Sequence, residues 1–256
     1  MIDLINIFKL SVKKTIKMKT IDNNYIFSYF IIPILNAFIF FMLHTNENIS
    51  MPEVLMSVSI MTIWSINIFE SSFLILGEKS YGTLNHIMLS KYKTKTIFFF
   101  EVLANLVFNF ITLILIYIAG YLFKPYTIDY AMLGYQIIAL TLTIVSIATI
   151  GLLLAVGLLY TRAARGIMNI IGYPFYILSG LFVPISNFPE AIKIIAYALP
   201  TTHAIELFRM KSFDVNFVGT KVLACIVLMI LYHGLASLMF THIEHKVAMK
   251  GDFDKF

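Results

Sequence analysis

The chain has 256 residues, 59% of them hydrophobic and only 13% charged, against about 25% charged in ordinary soluble domains. That balance excludes a water-soluble domain, and the apolar residues fall in runs near the ~20 needed to cross a bilayer as a helix. The runs do not alternate as barrel strands do. In such a chain the net charge of +5 reports membrane topology rather than nucleic-acid binding.

Residues 1–24 carry Lys9, Lys13, Lys14, Lys17 and Lys19. On a helical wheel Ile5, Phe8, Val12 and Ile16 cluster on one side, and Lys9, Lys13 and Lys17 form an i, i+4 row beside them. Ile7 and Leu10 fall off that side. The pattern predicts an amphipathic interfacial helix with its lysines near anionic lipid headgroups; the alternative is a loose basic leader. No small-residue cleavage site follows the first apolar run, so no removable signal peptide is expected.

Six spans are expected within 25–241, at 25–43, 54–76, 97–123, 131–160, 167–183 and 217–241, followed by a tail at 242–256. Pro33 and Pro174 each remove a backbone donor and should kink the first and fifth spans. Gly151 and Ala155, four apart with Gly157 beyond, let the fourth span approach a neighbouring helix closely. Glu70 and Glu101 lie near the ends of the second and third spans. A carboxylate there is costly, so each is either paired or part of a transport path. His233, His242 and His245 offer no convincing third ligand for a metal. The lone Cys225 allows no intrachain disulfide, and no internal repeat supports an inverted-repeat carrier.

Of the 19 Lys and Arg residues, 14 fall in the N-terminal segment, the 77–96 loop, the Arg162/Arg165 connector and the tail. The other side holds Lys124, Lys193, Arg209, Lys211 and Lys221. The bias places both termini in the cytoplasm, and an even span count follows.

The loop at 77–96, GEKSYGTLNHIMLSKYKTKT, lies on the cytoplasmic side of that scheme. After Gly82 and Thr83, Leu84, Ile87 and Met88 recur at i, i+3, i+4 and give a short helix one apolar edge. Such a loop is either a solvated connector or a docking surface. On the other side the segment at 184–213 is divided by Pro184, Pro189 and Pro200. Pro189-Glu190 begins one short helix, with Ile192, Ile195, Ala196 and Leu199 on its apolar face. Thr201 or Thr202 caps a second, which carries Ile205, Leu207 and Phe208. Two re-entrant half-helices fit these constraints; a surface-lying hairpin is the alternative. Glu206 and Arg209, three apart, form a candidate pair.

Two pieces carry a family resemblance. Glu78-Lys79-Ser80-Tyr81-Gly82-Thr83-Leu84, followed by Ile87, Met88 and Leu89, is similar to the loop after the second span of the ABC-2 type permeases. There, an acid and a Gly-Thr-Leu step begin a coupling helix. The segment from Gly180 to Arg209 resembles the same family's segment between spans five and six. Ser90-Lys91 stands where the family has a proline. The resemblance implies an all-α polytopic membrane protein: an interfacial helix, six transmembrane helices, a coupling helix between spans two and three, and two re-entrant half-helices between five and six. It further implies the permease subunit of an ATP-driven exporter, paired with a second permease copy or paralogue and docked to a cytosolic ATPase subunit; the bias towards Lys, Ile and Asn points to a bacterial plasma membrane. Glu78, Gly82, Thr83, Leu84, Ile87 and Met88 would then serve ATPase docking. Phe188, Ile192, Tyr197 and Phe208 would form an outer gate, and Glu70 and Glu101 would pair charges near the inner mouth. The chain has no G-x-x-x-x-G-K-[ST] loop, so ATP and Mg belong to the partner and no cofactor is expected here. The aromatic content, 23 Phe and 14 Tyr, favours an amphipathic peptide or hydrophobic drug as cargo. The alternatives are a polysaccharide or lipid-linked glycan, an ion-coupled carrier using Glu70 and Glu101, or an intramembrane metal enzyme built on the three histidines.

Overall fold

The computed structural model describes residues 2–21, 23–43, 51–123, 130–159, 161, 163–181, 183–210 and 214–250. The connectors at 44–50 and 124–129, Arg162, the Arg165 side chain, Lys211 and the tail beyond 250 lie outside the described residues. Among the described residues all regular structure is helical. In chain order the helices are α1 (Ile2–Ile21), α2 (Asn23–Ile26), a π-helical segment (Phe27–Ile31), α3 (Ile32–Leu43), α4 (Met51–Ser80), α5 (Leu84–Met88) and α6 (Thr94–Phe123). Then come α7 (Tyr130–Leu158), α8 (Ala164–Leu178), a 3₁₀ turn (Ile185–Asn187), α9 (Glu190–Tyr197), α10 (Pro200–Phe208) and α11 (Val215–Lys250).

Among the described residues four stretches are long and apolar enough to cross a membrane: Ser57–Ser80, Thr94–Phe123, Gly134–Leu158 and Val215–His245. They correspond to the second, third, fourth and sixth expected spans. The other two stretches are shorter. The first apolar helix has its apolar stretch at Phe27–Ile39. The fifth, α8, has 15 residues, about 22 Å at ~1.5 Å per residue, less than the ~30 Å hydrocarbon core.

Proline explains the form of the first. Pro33 has no N–H, so the Tyr29 carbonyl four residues earlier loses its helical donor. The chain answers in two ways. It widens into the π-helical segment, where the Ile32 amide donates to the Phe27 carbonyl five residues back. Thr112 of α6 also donates its hydroxyl to the Tyr29 carbonyl at 3.3 Å.

The centre of the bundle is α4, packed against α6 and α7. Ile63, Trp64 and Ile68 of α4 are buried with Ile144 and Ile147 of α7, and the Trp64 ring lies 5.9 Å from that of Phe175 in α8. Asn109 donates its amide to Asn67 at 2.7 Å, a buried polar tie between α6 and α4. The Gly151 spacing read from the sequence is used inside the subunit: a Cβ at Gly151 would lie 2.4 Å from Ser71 Cβ on α4. Neither backbone has slack there, so Gly151→Ala should lower stability by about 1–3 kcal/mol, read as a lower thermal unfolding midpoint of the detergent-solubilised chain.

At one end of the bundle the last helix closes against α6, with the Phe240 and Phe98 rings 5.7 Å apart. At the other end α10 packs on α7 and the start of α11, burying Ile205, Leu207 and Phe208 with Ala139 and Leu140.

Candidate functional site

Helix α1 turns towards the rest of the protein a stripe that lies off the apolar side read from the sequence. The buried positions are Ile7, Ser11, Thr15 and Lys19, an i, i+4 stripe that is mostly polar, while Ile5 and Ile16 are exposed. Ile7, which fell off the expected apolar side, is therefore inside. The physical reason lies across the interface, where the bundle presents three carboxylates that only a polar face can match.

Each acid has a partner on α1. The Lys14 ammonium sits 2.5 Å from both Glu78, at the end of α4, and Glu101 in α6. The Lys19 ammonium, with its side chain 3% exposed, is 2.9 Å from Glu70. It also donates to the Tyr29 hydroxyl, which in turn donates to Glu70. Glu70 and Glu101 are thus both charge-paired. Both partners, Lys14 and Lys19, come from α1. Lys14, Lys19, Glu70, Glu78 and Glu101, with Asn105 of α6, line a cavity of about 690 Å³.

The two lysines differ electrostatically. Burial pulls the Lys14 amine down, but Glu101 and Glu78 outweigh it and the net displacement is upward. Burial dominates at Lys19 and lowers it to about 8, against the pull of Glu70. The unfolded chain holds a lysine proton to ~10.4, so between pH 8 and that value the unfolded state binds more protons. The Lys19 contribution to stability therefore rises with pH through this window and is lost as pH falls through 8. Thermal unfolding of the native chain and Lys19→Met, compared from pH 7 to 10.5, should show the native chain gaining on the variant.

The loop at 77–96 is fastened to this junction. Gly82 has φ +70°, a left-handed turn that favours glycine, and it lets the chain reverse from α4 into α5. Thr83 donates its amide to the Glu78 carbonyl at 3.0 Å and its hydroxyl to the Glu78 carboxylate. Leu84 is 3% exposed and joins the cluster containing Phe98, with Ile87 packed against it; Met88 is half-buried. The apolar edge of α5 thus faces the bundle. What the loop presents outward is Tyr81, Gly82, Thr83, Asn85, His86 and Leu89, the last 86% exposed. Glu78, buried and doubly engaged, ties the loop to α1.

The segment at the other end also departs in detail. Pro189 precedes α9 as expected, but α10 starts with Pro200 after Leu199, and no side chain caps it. Thr201 and Thr202 are buried inside. Glu206 pairs with Lys221 of α11 and accepts from the Tyr197 hydroxyl at 3.0 Å. Arg209 instead donates to the Leu181 carbonyl at 2.6 Å. The expected Glu206–Arg209 pair is not formed because Lys221 reaches Glu206 from α11, and Arg209 ends α10 beside a free carbonyl. The rings of Tyr197 and His203 lie 5.6 Å apart. Of the candidate gate residues, Ile192 and Tyr197 are exposed, Phe188 is half-buried, and Phe208 is part of the packing under α10. His233 stacks edge-on against Phe99 at 5.2 Å, and no group of three metal-ligating side chains occurs among the described residues.

Sequence reasoning missed Lys14 and Lys19 as the partners of the acids. The available signal was that both fall off the Lys9–Lys13–Lys17 row. Over residues 6–213 the chain is similar to the family model described as ABC-2 type transporter. No curated protein matches it.

Proposed function

The chain belongs to the ABC-2 type transporter family, and from that premise we propose that it is the permease subunit of an exporter driven by a separate ATPase. In this reading it crosses a bacterial plasma membrane six times with both termini in the cytoplasm. It pairs with a second permease copy and moves an amphipathic peptide or hydrophobic drug-like molecule outward. ATP and Mg are held by the partner, not by this chain.

The observation that supports this best is the Lys14 clamp, which joins α1, the 77–96 loop and α6 through Glu78 and Glu101. A force applied by a cytosolic subunit to the exposed face of the loop reaches α4 and α6 without slack, because the loop is bonded to both. Tyr81, Asn85, His86 and Leu89 form the docking face, while Glu78, Leu84 and Ile87 hold it from behind. At the far end α9 and α10, latched by Tyr197, Glu206 and Lys221, act as the external gate. Glu70 and Glu101 serve charge pairing near the inner mouth.

The test is purification of the tagged chain from native membranes. Co-purification of an ATP-hydrolysing subunit, with turnover stimulated by amphipathic cargo, is the outcome expected. Transport by the isolated chain under an ion gradient without ATP would overturn the reading.

A further inference from the structure

His203 joins the two short helices at the far end of the bundle. Tyr197 is the last residue of α9, where a carbonyl has no further turn of helix to pair it. The Nε2 atom of His203, in α10, lies 3.0 Å from that carbonyl. A carbonyl only accepts, so Nε2 carries the hydrogen and, in the neutral ring, Nδ1 does not. Nδ1 is buried with no hydrogen-bond partner, on a residue 9% exposed.

The charged and titratable groups around the ring come from three helices. Tyr197 of α9 donates its hydroxyl to Glu206 of α10, and Glu206 pairs with Lys221 of α11. The Lys221 ammonium sits 5.0 Å from the centre of the Tyr197 ring. Further along α11, Cys225 and Tyr232 donate to the Pro200 and Ala198 carbonyls in the turn between α9 and α10. Arg209, at the end of α10, is turned to the Leu181 carbonyl, and Glu190 and Lys193 of α9 pair with each other. Helix α7, packed against α10, contains no Asp, Glu, His, Lys or Arg. Glu206 is thus engaged by Tyr197 and Lys221 rather than by Nδ1.

A second proton can enter the ring only at Nδ1. There it would make a buried donor without an acceptor, on a cation that shares the joint with Lys221. Burial, aided by Lys221, accordingly holds the imidazole below its ordinary value of 6.5, against the pull of the Tyr197 carbonyl and Glu206.

We propose that His203 is an acid-sensitive catch between α9 and α10. Neutral, it holds the end of α9 through the Tyr197 carbonyl. Protonated, it turns to water to pair Nδ1 and gives up that carbonyl, and α9 lifts from α10. An open joint takes up the proton near 6.5 and the closed joint only at lower pH. The catch is therefore whole above 6.5 and is lost as pH falls below it. It goes beyond the permease reading and is tested without it.

The experiment follows hydrogen exchange of the α9 amides by mass spectrometry, with the full chain in phosphatidylcholine nanodiscs between pH 7.5 and 4.5. Protection factors remove the intrinsic pH dependence of exchange and leave the local opening. Protection over Ile192–Tyr197 should fall by about tenfold or more on acidification, as expected for a stranded buried donor, while α7 keeps its own. His203→Gln can still donate to the Tyr197 carbonyl but takes no proton, so its profile should be flat. Should His203→Gln fail to fold, His203→Phe makes the same test: it lowers protection at every pH and also removes the response to acid. A fall that survives in a folded His203 variant would assign the response to the Glu206 carboxylate and overturn the catch. So would a native α9 whose protection does not change with pH. A flat native profile in a chain that still co-purifies with an ATPase subunit would sink the catch and leave the permease reading standing.

Discussion

Replacing Lys14 with methionine will destabilise the chain and disconnect the 77–96 loop from α1. The substitution leaves Glu78 and Glu101 without their shared cation, and the Glu101 side chain is 6% exposed. Breaking a fully buried pair costs roughly 3–5 kcal/mol, because one charge is left stranded. The Lys14 side chain keeps 37% exposure, so solvent screening reduces this to about 2 kcal/mol. Thermal unfolding of the solubilised chain reads the loss. Adding Glu101→Gln to Lys14→Met should recover part of it, since the stranded charge is removed; a purely additive double variant would show that the two groups do not interact. In the assembled transporter, Lys14→Met should also cut cargo-stimulated ATP turnover, as the loop loses its tie to α1 through Glu78.

Gly82→Val should separate folding from coupling. A Cβ at Gly82 meets nothing within 4 Å, so the cost is confined to the backbone at φ +70°, about 1–2 kcal/mol for a left-handed residue. The bundle stays folded, but the turn relaxes and redirects α5. Stimulated ATP turnover should fall by about tenfold or more while the unfolding midpoint shifts modestly. Leu84→Asp is a different experiment. It places a charge in the cluster with Phe98 and should unfold this corner, so a loss of turnover there says nothing about docking. Leu89→Asp, on the exposed side, should lower ATPase binding with no stability change. If Gly82→Val and Leu89→Asp both leave turnover intact, the loop is not the docking surface.

Much of the helical layout was legible because long apolar runs and their interruptions are local properties. Pro189 marked the start of α9, and Gly82 marked the turn before α5. Facing was not legible. The Leu84, Ile87, Met88 spacing announces an apolar edge, but only tertiary packing decides that it meets Phe98 rather than a partner protein. Helix α1 is the clearest case. The sequence showed an apolar side and a lysine row, but not which stripe meets the bundle, and that stripe runs through Ser11, Thr15 and Lys19 because the opposing surface is acidic. The partners that decide this are 64 and 87 residues away from Lys14, beyond any local pattern. Lys221 likewise took Glu206 from Arg209 by reaching in from a different helix. The charge cluster itself was half visible. Two acids in spans demanded partners, and the sequence could not say which lysines would supply them.

Sidedness of the 77–96 loop is best measured with a single cysteine in place of Leu89, which is 86% exposed on the loop's outward face. Cys225, the only native cysteine, is buried and stays silent. A membrane-impermeant maleimide should leave intact cells unlabelled, label inside-out vesicles, and be blocked there when the ATPase subunit is bound. Labelling of intact cells from outside would put the loop on the wrong side of the membrane and contradict a permease driven through it.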